Sequence, residues 1–300
     1  MKIFMTGGTG FVGTYLSQEL ARQEHTITIL TRRAKPPTPA QPGISYLTGN
    51  PTQDGPWMAA VPEHDWIINL AGASIFERWT EAKKKEIFES RVRTTRNLVT
   101  ALAAGDRRQF LCSTSAVGFY GPRGEEELTE DSPPQDGFLG ELARLWEGEA
   151  MRAQELGVRV VITRFGIVLG KDGGALGQMA PMFRRFLGGP LGSGQQWFSW
   201  IHRQDHARAY DFILAHPEIT GPVNFTAPHP VRNEDLTKAL ARVLHRPAVF
   251  KAPAFMLRLM LGEFAETLLT GQKVLPKRLL DAGFKFKFPF IEVALKDLLS

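Results

Sequence analysis

A single cysteine, Cys112, stands among 300 residues. It excludes internal disulfides and fits a reducing compartment. Long apolar runs are also missing. The longest late stretch, Ala254 to Leu261, is broken by Arg258 and closed by Gly262 and Glu263, well short of the roughly 20 residues a bilayer helix needs. The apolar start is too short for a secretory leader and runs straight into a glycine turn. A cytoplasmic protein without membrane contact is therefore expected. No zinc-finger spacing or RNA-binding aromatic signature is present, and the basic residues are dispersed: Lys83 to Lys85, Arg107 and Arg108, Arg184 and Arg185, Lys285 and Lys287. The net charge of +5 then suits a solvated surface that attracts an anionic cofactor, not nucleic acid. His202 and His206 lie four apart beside Asp205 but lack a third ligand at metal spacing, so no metal is expected. Repeats and low-complexity segments are absent.

What is present begins at the first residue. Lys2 to Thr6 is a short apolar run that reads as a buried strand, and Gly7, Gly10 and Gly13 follow at three-residue spacing. From Phe11 the period changes: Val12, Leu16 and Leu20 form the stripe of a helix packed on a sheet. Strand, glycine turn and helix in this order bind dinucleotides. Gly7 permits the turn, Gly10 lets backbone N–H groups approach a pyrophosphate, and Gly13 lets helix and strand pack closely. Gly7, Thr9, Gly10, Phe11, Val12 and Gly13 are the cofactor contacts expected here. The second strand, HTITILTRR, ends without the acid that would hold a free ribose 2′-hydroxyl. Thr31 is followed instead by Arg32 and Arg33, two guanidinium groups suited to a 2′-phosphate. The expected cofactor is NADP(H).

Strand-like runs alternate with helix-like ones thereafter. Asp65 to Leu70, Gln109 to Ser113 and Arg159 to Phe165 read as strands, and Thr80 to Leu102 as a helix burying Phe88, Val92, Thr95, Val99 and Leu102. This alternation predicts an α/β fold, a parallel sheet with helices on both faces. Glycines crowd 166–177 and 188–194, as in ligand-covering loops. Asn233 reads as the N-cap of a late helix, and FKFKFPF, with Phe284, Phe286, Phe288 and Phe290 alternating, as an edge strand. Trp197, Phe198 and Trp200 read equally as a substrate slot or as core.

TGGTGFVG, NLAG (Asn69 to Gly72) and STSAVGFYG (Ser113 to Gly121) resemble the extended short-chain dehydrogenase/reductases. WTEAKKKEIFESRVRTTRNLV, GGPLGSGQQWFSWIHRQD and VLPKRLLDAGFKFKFP resemble, within them, the NAD(P)-dependent sugar-nucleotide epimerase-like subgroup with its own short C-terminal domain. The resemblance implies a Rossmann-type, doubly wound parallel sheet with a smaller C-terminal substrate-side domain. Residues 1–165 would bind NADP, 166–300 would form the substrate side, and a strand and helix from about 195–230 would return to the sheet. It also implies that Leu70, Ala71 and Gly72 pass along the cofactor ribose. Ser113 and Arg164 would lie near the nicotinamide, Ser115 would anchor the reacting oxygen, and Asp205 would begin a helix under the substrate loop.

The superfamily's acid/base pair, Tyr-x-x-x-Lys, is missing. Four residues after Tyr15, Tyr46, Tyr120 and Tyr210 stand Glu19, Asn50, Gly124 and Leu214, and Phe138 and Leu142 occupy the places where the pair belongs. An unassisted tyrosine is a poor base at neutral pH. Two readings follow. One is an NADP(H)-dependent oxidoreductase or epimerase with a relocated acid/base, for which Tyr120, Glu141 and Arg144 are candidates. The other is an NADP(H)-binding sensor without turnover. The expected partner is a small-molecule substrate, made anionic if Arg91, Arg164, Arg184 and Arg185 line its pocket, with the protein a monomer or homodimer.

Overall fold

The computed structural model describes residues 1–33, 41–105, 109–171 and 173–300; Arg107 and Arg108 lie outside the described residues. In chain order the strands are β1 (Lys2–Thr6), β2 (Thr26–Thr31), β3 (Ile44–Thr48), β4 (Trp66–Asn69), β5 (Phe110–Ala116), β6 (Glu127–Leu128) and β7 (Arg159–Phe165). They continue as β8 (Ile167–Leu169), β9 (Trp197–Phe198), β10 (Trp200–His202), β11 (Gly221–Phe225), β12 (Val231–Arg232) and β13 (Lys273–Val274). The helices are α1 (Phe11–Arg22), α2 (Glu81–Leu102), α3 (Phe138–Met151), α4 (Gly174–Arg184) and α5 (Arg203–Ala215). After them come α6 (Asn233–Leu244), α7 (Ala254–Leu261), α8 (Phe264–Leu269), α9 (Lys277–Asp281) and α10 (Ile291–Leu299).

Seven strands form one parallel sheet in the order β11-β7-β5-β4-β1-β2-β3. Side chains alternate across it. Ile3 and Met5 join Leu16 and Leu20 of α1 and Tyr210 and Ile213 of α5 on one face. Phe4, Ile67 and Leu111 join Leu98, Val99 and Leu102 of α2 on the other. Helices on both faces make the fold doubly wound, and the order reverses between β1 and β4, where such sheets open a crevice for ligands. A separate apolar cluster, with Leu176 and Phe183 of α4, Trp200, Leu236 and Leu240 of α6, and Ile291 and Leu295 of α10, holds the later part of the chain.

Several expectations fail for identifiable reasons. FKFKFPF forms no strand: Phe284 and Phe288 are buried, but the N–H groups of Lys287 and Phe288 donate to the Asp205 carboxylate at 2.9 and 2.7 Å. Asn233 is the first residue of α6, not its cap; its Oδ1 accepts the Leu191 N–H at 2.9 Å. The glycines of 188–194 allow close approach of neighbouring segments. Gly188 lies on the Phe183 ring, and this segment pairs with the chain at Ala252 through a bridge from Leu191.

Candidate cofactor and substrate cleft

Gly7 has φ +68°, and a Cβ there would stand 2.5 Å from the Leu70 carbonyl oxygen. One at Gly13 would stand 2.6 Å from Gly8 Cα. Only glycine allows the β1 turn, the start of α1 and the loop after β4 to meet this closely. Gly10 caps α1 with no side-chain bond, and the Thr14 N–H is the first to reach a helical carbonyl, that of Gly10. The Phe11, Val12 and Gly13 amides therefore lack helical acceptors and stand at the positive end of the helix dipole. Free backbone amides at a helix N-terminus have the polarity that suits a pyrophosphate. The Phe11 side chain turns away and packs against Gly170, Gly173 and Gly174, which accounts for glycines in that segment.

At the end of β2, Thr31 is buried and its Oγ1 accepts the Arg33 N–H at 3.2 Å, while Arg32 and Arg33 are exposed. Leu70, Ala71 and Gly72 follow β4 directly, and the Ala71 N–H donates to Thr6 Oγ1 at 3.3 Å. The expected cofactor residues thus gather along the carboxyl ends of β1, β2, β4, β5 and β7.

Two polar rows cross those ends. Thr6, Asn69 and Ser113 are register partners on β1, β4 and β5. Thr6 Oγ1 donates to Asn69 Oδ1 at 2.7 Å, and Asn69 Nδ2 donates to Ser113 Oγ at 3.2 Å and to Thr95 Oγ1 at 2.8 Å. Thr95 also accepts Trp146 Nε1 at 2.9 Å. Ser115, Arg164 and Asn224 form the second row, on β5, β7 and β11. Ser115 Oγ donates to Glu147 Oε1 at 2.6 Å, and Arg164 grips the same carboxylate with Nε at 2.9 Å and Nη2 at 2.8 Å. Burial pulls the Arg164 guanidinium down, but Glu147 and Tyr120 more than offset it and hold it above its usual value.

Sequence reasoning missed Glu147. The signal was there: Gly140, Ala143, Glu147 and Ala150 share the α3 stripe facing the sheet, and a glutamate among small residues on an inner stripe must have a partner. The three relocated acid/base candidates fare differently. Tyr120 is fully buried; its hydroxyl accepts Arg164 Nη1 at 2.8 Å and donates to Asn224 Oδ1 at 2.7 Å. Burial first, against Arg164 and Asn224, pushes it up to about 12. In the folded chain this hydroxyl is enclosed and links the turn after β5 to β7 and β11. Glu141 and Arg144 are exposed, whereas Glu147 on the same helix reaches the strand ends.

Phe138 and Leu142 join Trp79, Val92, Trp146 and Phe264 in one apolar cluster, with Phe138 edge-on to Trp79 at 5.3 Å. Trp200 is core, its Nε1 donating to the His229 carbonyl, while Trp197 lies under the cations of Arg232 and Lys273. His202 and His206 are buried, and among the described residues no cluster could hold a metal ion. Asp205 is in the first turn of α5, also paired with Arg208 at 2.7 Å. Arg184 and Arg185 are exposed at the carboxyl end of α4. No helix among the described residues is long and apolar enough to cross a membrane.

A doubly wound sheet whose first turn is a glycine cradle at a helix N-terminus, with polar groups at the adjoining strand ends, defines a nicotinamide-dinucleotide protein. The chain belongs to the NAD dependent epimerase/dehydratase family, whose model matches residues 3–225; a domain of unknown function, DUF1731, matches 252–298. It is 42% identical to the chloroplastic epimerase family protein SDR39U1 homolog of Arabidopsis thaliana, over all of this chain and 87% of that one. It is 40% identical to the epimerase family protein YfhF of Bacillus subtilis, over all of this chain and 98% of the other. The crystal structure of human epimerase family protein SDR39U1 (isoform 2) with NADPH matches at TM-score 0.87 and 33% identity, covering 99% of both chains. Thermus thermophilus UDP-glucose 4-epimerase in complex with NAD shares the fold at TM-score 0.82 and 18% identity, over 99% of this chain and 97% of that one.

Proposed function

We propose that the protein binds NADP(H) and acts as an oxidoreductase or epimerase on a small carbonyl or sugar-nucleotide substrate, with Ser115 and Glu147 in place of the missing tyrosine–lysine pair. The observation that carries this is the 2.6 Å bond from Ser115 Oγ to Glu147 at the end of β5. The glycine cradle and the Arg32–Arg33 pair support NADP(H), and the human relative's crystal structure contains NADPH. When bound, the nicotinamide supplies or accepts a hydride. Ser115 holds the substrate oxygen. As an alcohol is oxidised, Ser115 Oγ takes its proton and passes its own to Glu147; in reduction the proton returns along the same pair. Arg164 keeps the carboxylate aimed at Ser115 through two parallel bonds.

The test is NADPH consumption across a carbonyl panel for wild type, Ser115→Ala and Glu147→Gln. Loss of a proton-transfer group lowers turnover by about 10²-fold or more, with NADPH affinity retained. Variants that turn over like wild type refute the assignment. A second reading, an NADP(H)-binding sensor, is favoured by the apolar packing of Phe138 and Leu142 where an acid/base pair would stand. Tight NADPH binding with no turnover on any carbonyl would establish it.

A further inference from the structure

We propose that Arg91 is an anion-binding residue at the substrate end of this cleft, taking a carboxylate or phosphate of the ligand held beside the nicotinamide. The inference rests on the reading that the cleft holds NADP(H) and a carbonyl-bearing substrate. The guanidinium lies flat on the loop after β4: a Cβ at Gly72 would stand 2.9 Å from Arg91 Cζ and 3.1 and 3.2 Å from its two terminal nitrogens. One nitrogen is fixed, Nη1 donating to the carbonyls of Ala73 and Ile87, both at 3.1 Å. Its Cζ also lies over the Trp146 ring, 5.4 Å from the centroid. Nε and Nη2 make no hydrogen bond within the described chain.

No carboxylate answers this charge. Among the described residues none is in ion-pair range of Arg91, and burial alone pulls its guanidinium down to about 10. Its neighbours show what satisfied arginines look like in this protein. Arg164 is matched by both oxygens of Glu147. Arg159 is surrounded by the carbonyls of Ile213, His216 and Ile219 and lies over the Phe110 ring. Arg164 and Glu147 pair with each other, whereas Arg91 has no carboxylate of its own among the described residues. A half-buried guanidinium with an open edge, braced by an indole and covered only by an exposed glycine, suits two parallel bonds from a planar carboxylate or a phosphate. The cofactor's own phosphates have the α1 cradle and Arg32–Arg33 available, so the anion at Arg91 belongs to the substrate.

The experiment is a thermal-shift titration of wild type, Arg91→Gln and Arg91→Lys with pyruvate, inorganic phosphate and neutral acetone, with and without saturating NADPH, because a ligand that binds only the native state raises the melting temperature. NADPH affinity is titrated separately. Pyruvate or phosphate is expected to raise the wild-type melting temperature where acetone does not. Arg91→Gln should weaken that anion at least ten-fold, Arg91→Lys less, and NADPH affinity should stay within three-fold. Arg91→Met, which removes the charge but keeps an apolar stem, should also weaken the anion, and it serves if Arg91→Gln does not fold. An anion response unchanged in Arg91→Gln overturns the proposal, as does a wild type blind to both anions. NADPH affinity falling in step with the anion response assigns the charge to the cofactor and overturns the substrate-end placement. Failure of wild type to bind NADPH, with the anion response intact, would sink the functional reading and leave Arg91 as an anion site.

Discussion

Tyr120 and Glu147 show how one residue's role turns on its surroundings. Tyr120 is conspicuous in the sequence, a tyrosine in the turn after a catalytic-type serine, yet its hydroxyl bridges Arg164 and Asn224 with no exposure. Tyr120→Phe leaves Arg164 Nη1 and Asn224 Oδ1 short of a partner, at a cost of about 1–3 kcal/mol. Chemical denaturation should report that loss while NADPH affinity and any turnover stay close to wild type; a turnover loss of 10²-fold would restore Tyr120 as the acid/base. The arginines after β2 make a cleaner case because they are exposed and no carboxylate claims them among the described residues. Arg32→Ala with Arg33→Ala should weaken NADPH ten-fold or more, since charge-assisted contacts contribute about 1.5–3 kcal/mol each, and should leave NADH affinity nearly unchanged. Equal wild-type affinities for the two cofactors would count against the 2′-phosphate assignment.

Among the elements, the junction of β10 and α5 carries a built-in acid sensitivity. His206 packs against Phe165, Tyr210 and Phe225, and burial pushes its imidazole down to about 3; His202, on which burial outweighs Asp297 and Asp205, is pushed down to about 4. Both titrate near 6.5 once unfolded, so the unfolded chain takes up protons first. Their contribution is complete above pH 6.5 and falls away as pH drops toward 4 and 3, at about 1.4 kcal/mol per pH unit for each histidine. His206→Leu keeps the apolar packing and removes one titration, so the drop in urea midpoint between pH 7 and pH 5 should shrink. Equal drops would show that His206 protonates elsewhere in the scale. The α5 helix also explains the late phenylalanine run. Alternation at Phe284, Phe286 and Phe288 reports a half-buried extended segment, but period two says nothing about what accepts the backbone N–H groups. Here Asp205 of α5 accepts two of them, and no ladder forms.

For the whole molecule, those bonds tie the end of the chain to α5, which packs on the sheet. Asp205 has no exposed surface and holds Lys287, Phe288 and Arg208 at once. Asp205→Asn turns an amide N–H₂ toward donors and is expected to cost about 3 kcal/mol, the scale of a lost charged hydrogen bond with a buried group left unpaired. Hydrogen exchange should quicken over 284–300, where α10 packs on α6, before it quickens in β1 or β4. Uniform loosening would mean the C-terminal cluster is not held through this carboxylate. The sheet also spans sequence distance: β11 lies beside β7 and brings Asn224 to Arg164 and Tyr120.

The opening strand, turn and helix were legible because their requirements are local: a positive φ at Gly7, no Cβ at Gly13 and an apolar period of 3.6 along α1. The same holds for the parallel α/β architecture, and for the missing tyrosine–lysine pair, which can be checked by counting. The Ser115–Glu147–Arg164 assembly, the enclosure of Tyr120 and the unanswered charge of Arg91 were decided only by the tertiary structure. Each depends on which strands become neighbours and on which acid reaches which cation, and in the folded chain Glu147 reaches Arg164 and leaves Arg91 alone. Periodicity reports which face of an element is buried; only the packed sheet determines what is buried against it.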